Sequence, residues 1–297
     1  MASIESKLFY RLLRLINKKK FLEMQFAFGK FDFYNSKVPP KTTQRICNIA
    51  KQTINGRNLF VLTPKEQKSN TYILYLHGGA YVQNFVRQHW KFLSSLVAAS
   101  DCTILAPDYP LAPEHTFVDA FNMVLPLYRD IIASVGSQNT VVMGDSAGGG
   151  FALALCQKLK IENAPQPKRL ILLSPWLDLT LTNPDIIPID RDDPFLGIPG
   201  LRKAALAYAG GFDLNNYMLS PINGPLHGLA SISIFIGSND ILVADARKLT
   251  MIARQQGISI DYREYKDMVH VWMLLYFRES RQAQEEIKLL LASVQGT

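Results

Sequence analysis

The chain has 297 residues, of which 48% are hydrophobic and 19% are charged, and its formal net charge is +7. This composition is ordinary for a globular protein and excludes a largely disordered chain, because disordered chains are poor in apolar residues and rich in charge. No run approaches 18 consecutive apolar residues, so the sequence predicts no transmembrane helix.

The first 30 residues hold most of the positive charge, with seven basic and two acidic side chains and a net charge of +5. The other residues share only +2 and contain no nucleic-acid-binding motif, so we expect no nucleic-acid partner. Apolar residues recur there at helical spacing, at Leu8, Leu12, Leu15 and Ile16. This pattern predicts an amphipathic helix within residues 4–22 whose apolar face covers a binding pocket, with contact to an anionic membrane surface or to a partner as the less favoured alternatives.

After residue 40 the pattern changes to alternating strands and helices. Asn55-Gly56 predicts a tight hairpin turn between residues 44–54 and 58–63, because both turn positions need a positive φ. Apolar runs predict further strands at 71–76, 103–106, 140–143, 170–173, 231–236 and 258–265. Helical patterns lie near 88–99, 117–134, 147–161, 243–256 and 280–294. This order predicts an α/β fold with a mostly parallel sheet covered by helices on both faces.

Residues 183–228 interrupt this alternation, since they are rich in Pro, Gly and Asp and show one helical stretch near 201–209. A segment of this length is too long for a plain loop, so we expect an insertion over the functional site. The chain is thus divided into an N-terminal cap segment, 1–45, and a catalytic domain, 46–297, with a cap insertion at about 183–228.

The motif Gly144-Asp145-Ser146-Ala147-Gly148 follows a predicted strand and begins a predicted helix. This context is typical of a nucleophile elbow, in which a sharp turn holds a serine in a strained conformation. Side chains at Gly144 and Gly148 would clash in such a turn. Ser146 is therefore predicted as a nucleophile, above a helix N-terminus that favours developing negative charge.

A second motif, His77-Gly78-Gly79-Ala80-Tyr81, follows the strand at 71–76. Acyl transfer needs backbone N–H donors where an oxyanion forms, and glycines let the backbone approach closely. We assign these donors to Gly78, Gly79 and Ala147. His77 is expected to hold the loop through a hydrogen bond from its ring. Tyr81 is expected to contact substrate, with core packing as an equally supported alternative.

The catalytic base and acid are expected after the serine, in the order acid and then histidine. His270 lies in the loop after the last predicted strand, whereas its rival His227 lies in the insertion. Asp240 follows the strand at 231–236 and is the predicted acid. Its rivals are interpreted as a turn residue, Asp178, and as structural support, Asp245. His89 and His115 precede the serine and are interpreted as structural.

Three widely spaced cysteines, Cys47, Cys102 and Cys156, indicate no disulfide framework and favour a reducing compartment. The N-terminal segment lacks a signal-peptide pattern because charges interrupt its apolar residues. We therefore predict a cytoplasmic location.

Together these motifs resemble the hormone-sensitive-lipase-like branch of the α/β-hydrolases. Three further segments carry the same resemblance: Asp108-Tyr109-Pro110-Leu111-Ala112-Pro113, Ser174-Pro175-Trp176 and Gly237-Ser238-Asn239-Asp240. The resemblance implies an α/β-hydrolase fold, a helical cap and carboxylesterase activity on small to medium acyl groups, without a metal or organic cofactor. The family often has the motif HGGG, and in this chain Ala80 replaces the third glycine of that motif. Alanine retains its N–H as a donor if its φ is negative.

The sequence thus predicts a serine carboxylesterase with a small-molecule ester as its substrate and leaves a homodimer open. A deacetylase or acyltransferase using the same residues is an alternative, because all three reactions pass through an acyl-enzyme. A ligand receptor without turnover is a further alternative, since fold does not determine function.

Overall fold

The computed structural model describes residues 2–66 and 70–295, and its strands form one eight-stranded sheet. In chain order they are β1 (Asn48–Ile54), β2 (Arg57–Thr63), β3 (Tyr72–Leu76), β4 (Thr103–Pro107), β5 (Thr140–Asp145), β6 (Arg169–Leu173), β7 (Ser231–Gly237) and β8 (Asp261–Tyr265). Their order across the sheet is β1-β2-β4-β3-β5-β6-β7-β8. Only the β1–β2 and β2–β4 pairs are antiparallel, so the predicted mostly parallel sheet with an antiparallel edge is confirmed.

The helices of the described residues lie on both faces of this sheet. They are α1 (Ile4–Leu15), α2 (Phe21–Phe28), α3 (Arg87–Ser100), α4 (Phe117–Val135), α5 (Ala147–Ile161), α6 (Ile186–Asp190), α7 (Ile198–Ala209), α8 (Val243–Gln255) and α9 (Arg278–Gln295). One buried apolar cluster contains residues of α4, α5, α7 and α8, and the other contains residues of α1, α3 and α9. The near-continuous apolar strands follow from this double cover, because both faces of the central strands are removed from water.

The hairpin at the sheet edge forms where it is predicted. Asn55 and Gly56 have φ values of 50° and 75°, the left-handed region that the tight turn requires. Strand β1 begins at Asn48 rather than at residue 44, because residues 43–45 form a short 3-10 turn. The last strand is also shorter than predicted and covers Asp261–Tyr265.

The parallel strands bring the carboxyl ends of β3, β5 and β6 to the same edge. Leu76 pairs with Gly144, and Asp145 pairs with Leu173. The loops that follow these strands therefore start side by side. The nucleophile motif begins in the middle of this edge.

The amphipathic helix predicted near the N-terminus is two helices, because Asn17 adopts a left-handed conformation between them, with φ of 52°. The predicted orientation of α1 is wrong. Leu13 is buried against the body of the protein, whereas the predicted covering residues are exposed: Leu8, Leu12, Leu15 and Ile16. The physical reason is that Phe9, Tyr10 and Leu13 form a second apolar face, which packs against the cluster around α3 and α9.

The insertion at 183–228 contains two helices, α6 and α7, instead of the single predicted one. Within the part of the chain that the structure describes, no helix is both long and apolar enough to cross a lipid bilayer. The three cysteines are buried and unpaired.

Candidate active site

Ser146 occupies the sharp turn between β5 and α5. Its φ and ψ are 53° and −121°, a strained combination for a residue with a side chain. A Cβ atom at Gly144 would collide with the carbonyl oxygen of Gly148, and one at Gly148 would collide with the carbonyl oxygen of Leu76. The predicted strained turn and its need for both glycines are therefore confirmed.

The serine lies in a continuous hydrogen-bonded chain with two residues from distant loops. His270, in the loop after β8, has its Nε2 atom 2.8 Å from the Ser146 Oγ atom. Its Nδ1 atom lies 2.7 Å from the Oδ2 atom of Asp240, in the loop after β7. Asp240 is completely buried and His270 is 3% exposed. The structure thus brings together the three residues predicted as nucleophile, base and acid.

The electrostatics of His270 suit a proton acceptor that is stabilised once it is charged. Burial would lower the pKa of the imidazole, but the adjacent Asp240 carboxylate, together with Asp193 and Asp145, outweighs burial, so the pKa is raised above its ordinary value of 6.5. With Nδ1–H donating to Asp240, Nε2 presents its lone pair to the Ser146 hydroxyl. The other oxygen of Asp240 accepts a hydrogen bond from the Leu242 N–H at 3.0 Å, which fixes the carboxylate.

The glycine loop after β3 requires a correction to the predicted oxyanion donors. The Gly78 N–H donates to Asp145 Oδ1 at 2.9 Å, so Gly78 is engaged within the protein and its predicted donation to an oxyanion is contradicted. Ala80 has a φ of 52°, so the expected negative value is wrong, and the expectation that a positive φ would remove its N–H as a donor is wrong too, because that N–H has no acceptor within the described residues. Among residues 2–66 and 70–295, none accepts a hydrogen bond from the N–H groups of Gly79, Ala80 or Ala147. These three donors are free to meet a substrate oxygen.

His77 has the loop-holding role predicted for it. Its Nδ1–H donates to the Gly78 carbonyl oxygen at 2.7 Å. Its ring stacks on Tyr109 with 4.4 Å between ring centroids, and the Tyr109 hydroxyl donates to the His77 carbonyl oxygen at 2.6 Å. Burial lowers the pKa of His77, with His89 as a second cause. The neutral ring therefore braces the glycine loop and takes no part in the chain that ends at Ser146.

Asp145 is a functional-site residue that sequence reasoning did not single out. Its buried carboxylate accepts hydrogen bonds from the Tyr75 hydroxyl at 2.6 Å and from the Gly78 N–H, and lies 3.2 Å from His89 Nε2. Burial would raise the pKa of Asp145, but His89 and these hydrogen bonds lower it. The structural interpretation of His89 is confirmed. The sequence signal that could have identified Asp145 is a carboxylate directly after a strand predicted to be buried.

Asp193, in the insertion between α6 and α7, is the second residue that was missed. Its Oδ1 atom accepts from the N–H groups of Phe195 and Leu196 at 2.6 and 3.0 Å. Its Oδ2 atom accepts from the N–H of Ile241, which follows Asp240, at 2.9 Å. Burial and the nearby Asp240 raise the pKa of Asp193. No local pattern predicts this contact, because the two segments are 48 residues apart.

The rival candidates have other roles. His227 is exposed in the insertion. Asp178 accepts from both the N–H and the hydroxyl of Thr180, at 2.9 and 2.6 Å, which confirms it as a turn residue. Asp245 accepts from the side-chain amide of Asn183 at 2.9 Å, as expected for structural support. Among the described residues, no group of three or more His, Cys, Asp or Glu side chains is placed to hold a metal ion.

Aromatic side chains fill the space between the glycine loop and the insertion. The ring of Tyr81 is buried and stacks on Tyr208 of α7, with 3.8 Å between centroids and an interplanar angle of 2°. Trp176 also stacks on Tyr81, with 5.9 Å between ring centroids. Trp272 is buried in the other apolar cluster, with residues of α1, α3 and α9. Substrate contact by Tyr81 stays a prediction.

The segment after α1 contacts the insertion close to His270. The Lys18 Nζ atom lies 4.9 Å from the centroid of the Phe195 ring, and that ring is 5.5 Å from the His270 ring. Burial lowers the pKa of Lys18 to about 8. Lys19 forms an ion pair of 2.8 Å with Asp190. The N-terminal segment therefore reaches the site through Lys18 and Lys19 rather than through the predicted apolar face of α1.

Comparison with known proteins agrees with this geometry. Residues 73–274 match the alpha/beta hydrolase fold family. The chain is 32% identical over 267 residues to an acetyl-hydrolase of Streptomyces hygroscopicus, covering 89% of this chain and 86% of that protein. It is 28% identical over 254 residues to an esterase of Acinetobacter venetianus, covering 84% and 82%.

A solved structure of an esterase from the bacterial hormone-sensitive lipase family is also similar. It superposes with a TM-score of 0.79 at 29% identity and covers 87% of this chain and 94% of that one. The chain therefore belongs to the alpha/beta hydrolase fold family, in its branch of esterases related to hormone-sensitive lipase.

Proposed function

We propose that the chain is a serine carboxylesterase in which Ser146 is the nucleophile, His270 the general base and Asp240 the orienting acid. The observation that carries this proposal is the hydrogen-bonded chain through these side chains, with distances of 2.8 and 2.7 Å. It lies beside three free N–H groups at the start of α5 and in the glycine loop. Nucleophile, proton acceptor and oxyanion donors are the parts that acyl transfer requires.

In the first half of the reaction the Ser146 Oγ atom attacks the ester carbonyl carbon, and its proton moves to His270 Nε2. The carbonyl oxygen becomes an oxyanion that accepts hydrogen bonds from Gly79, Ala80 and Ala147. The carbon–oxygen bond to the alcohol then breaks, and His270 returns the proton to the leaving alkoxide.

The second half releases the acid. Water attacks the acyl-enzyme carbonyl and gives one proton to His270, whose charge the Asp240 carboxylate stabilises. The bond between Ser146 and the acyl group breaks, and the serine oxygen recovers its proton. The products are one carboxylic acid and one alcohol, and the enzyme returns to its starting state.

The acyl group in this proposal is short to medium in length, with acetyl as the first choice. Two observations support this preference. The buried rings of Tyr208 and Trp176 stack on Tyr81 next to the elbow, where the backbone N–H of Trp176 donates to the Ser146 carbonyl oxygen at 2.9 Å, and the relative from Streptomyces hygroscopicus is named an acetyl-hydrolase. Rates of p-nitrophenyl acetate, butyrate and octanoate hydrolysis test it, and we expect kcat/KM to be lowest for octanoate.

Residues 1–45 and the insertion at 183–228 are assigned as a joint cap over the catalytic domain. The ion pair between Lys19 and Asp190 supports this assignment, as does a hydrogen bond from Gln83 of the glycine loop to Gln25 of α2. The cytoplasmic location and the homodimer remain predictions.

The decisive test is Ser146→Ala. We expect its rate of p-nitrophenyl acetate hydrolysis to fall by at least about 10⁴-fold. The matched control is Ser134→Ala, since Ser134 is exposed on α4 and its loss leaves the rate unchanged. A fluorophosphonate probe labels the parent protein at one site and does not label Ser146→Ala. Near-parental hydrolysis by Ser146→Ala would overturn the proposal, and ligand binding without probe labelling would indicate a receptor.

A further inference from the structure

Helix α1 is attached to the protein along one side. Leu13 is buried, and the ring of Phe9 lies 5.2 Å from that of Phe277. At the start of the helix, both the N–H and the hydroxyl of Ser3 donate to the carboxylate of Glu279, at 2.6 and 2.8 Å. The Tyr10 hydroxyl donates to the Asp192 carbonyl oxygen at 2.9 Å. This side holds α1 in place without using its other faces.

The opposite side of α1 carries large apolar side chains that are 50% to 84% exposed. We call them the apolar stripe, and they are Ile4, Leu8, Leu12, Leu15 and the adjoining Ile16. Their spacing of three, four and eight residues places them along one side of the helix. Single exposed leucines are common on protein surfaces, but a contiguous stripe of this size marks a contact surface.

Basic side chains line the edge of the apolar stripe. Lys7, Arg11 and Arg14 follow the same helical spacing next to it, and the exposed Lys20 adds positive charge beyond the end of α1. In the described part of the chain, no carboxylate forms an ion pair with Lys7, Arg11 or Arg14. The surface therefore joins an unpartnered apolar stripe to uncompensated positive charge.

We propose that this face of α1 binds the surface of an anionic lipid bilayer, with the helix lying in the plane of the interface. Interfacial helices combine apolar residues that enter the boundary of the acyl chains with basic residues that meet acidic headgroups. A second copy of the chain is a poorer occupant, because it would bring the same positive charge against this face. Nucleic acid would leave the apolar stripe without a partner.

The contact would form next to the cover of the active site. Tyr10 of α1 holds residue 192, and Lys18 lies over Phe195, whose ring contacts His270. A bilayer bound to α1 would therefore lie next to the turn at residues 192–195, which contacts both α1 and the His270 ring. The docking itself rests on the exposed side chains of α1 and is independent of the proposed esterase function.

Sedimentation of the full-length protein with vesicles tests the proposal. We expect binding to mixed vesicles of phosphatidylglycerol and phosphatidylcholine, weaker binding as salt is raised, and little binding to phosphatidylcholine alone. Replacing two stripe residues, Leu8→Gln with Leu15→Gln, lowers affinity by at least about tenfold, because two apolar side chains no longer enter the interface. Lys7→Gln with Arg11→Gln lowers it on the order of twentyfold.

The matched control combines Met251→Gln and Arg254→Gln on α8, where both side chains are exposed, and we expect it to bind like the parent. All these residues are exposed, so the variants should retain the parental circular dichroism spectrum. Equal binding to both kinds of vesicle, no binding to the acidic ones, or parental binding by the Leu8 and Leu15 variant would overturn the proposal. So would a dimer in size-exclusion chromatography that the same variant dissociates, since a second copy would then occupy the face.

Discussion

The Oδ2 atom of Asp193 accepts a hydrogen bond from the N–H of Ile241 at 2.9 Å, and so connects the insertion to the residue that follows Asp240. The other oxygen of Asp193 holds the turn that places Phe195 against the His270 ring. The buried Asp193 carboxylate thereby fixes the loop that contains Asp240 and holds Phe195 against the His270 ring. Asp193 is a positioning residue in this arrangement, because it acts through Phe195 and Ile241 and forms no hydrogen bond with Ser146.

We expect Asp193→Asn to lower kcat by about tenfold with little change in KM. The amide provides only one acceptor oxygen where the carboxylate accepts three N–H groups, and its NH₂ group faces a backbone donor. Leaving such a buried donor without an acceptor also costs about 1–3 kcal/mol of unfolding free energy. Steady-state kinetics with p-nitrophenyl acetate and urea denaturation measure the two effects.

The matched control for this change is Asp192→Asn, since the neighbouring Asp192 side chain is exposed. It should retain the parental kcat and stability. A variant at Asp193 that loses stability but keeps the parental kcat below its unfolding transition would show that this residue supports the fold alone.

The raised pKa of His270 predicts the acid side of the pH profile. His270 accepts a proton only when it is neutral, so activity is lost as pH falls through its pKa. Because Asp240 holds that pKa above the ordinary 6.5, we expect kcat/KM to reach half of its plateau at a pH above 6.5. The measurement is kcat/KM for p-nitrophenyl acetate against pH, since this quantity reports the free enzyme.

Replacing Asp240 separates the effect of its carboxylate on the pKa of His270 from the effect of burial. Asp240→Asn should lower kcat by about 10⁴-fold, because the imidazole loses its orienting acceptor. Burial then acts on His270 without the carboxylate, so the residual activity should lose its acid limb at a lower pH. Asp267→Asn is the control, since Asp267 is exposed in the same loop as His270. An acid limb below pH 6.5 in the parent would contradict the assigned electrostatics.

Much of the fold could be predicted because its signals are local and periodic. The central parallel strands are mostly apolar, and α3, α4, α5, α8 and α9 follow the predicted spans closely. The N-terminal helix shows the limit of this reasoning. It has apolar residues on two sides, and only the contacts of Phe9 and Leu13 with the folded protein decide which side is buried.

The candidate site also has parts that could be predicted from the sequence and parts that could not. The order of Ser146, Asp240 and His270 along an α/β sheet predicts their convergence, because each follows a different strand at one edge. The oxyanion loop was less predictable. Which N–H groups are free depends on the Asp145 carboxylate, which engages Gly78, and the positive φ of Ala80 depends on the path of the loop. Such contacts between separate segments have no periodic signal.

The elbow rests directly against the strand that precedes the oxyanion loop, and Gly148 is the point of contact. An added Cβ atom would collide with the carbonyl oxygens of Leu76 and His77, both of which belong to the backbone and cannot turn aside. Any methyl group here must therefore push α5 away from β3 or move the glycine loop. Either movement separates Ser146 from the proposed oxyanion donors.

We accordingly expect Gly148→Ala to lower kcat/KM for p-nitrophenyl acetate by at least about 10²-fold, the cost of displacing reacting groups by roughly 1 Å. Gly257→Ala is the matched control. Gly257 has a φ of 72° with no atom within 4 Å of an added Cβ, so its replacement should cost about 1–2 kcal/mol of stability and leave kcat/KM unchanged. Equal kinetics for the two variants, each measured well below its Tm, would show that the elbow tolerates displacement and that its close packing against β3 does not set the catalytic geometry.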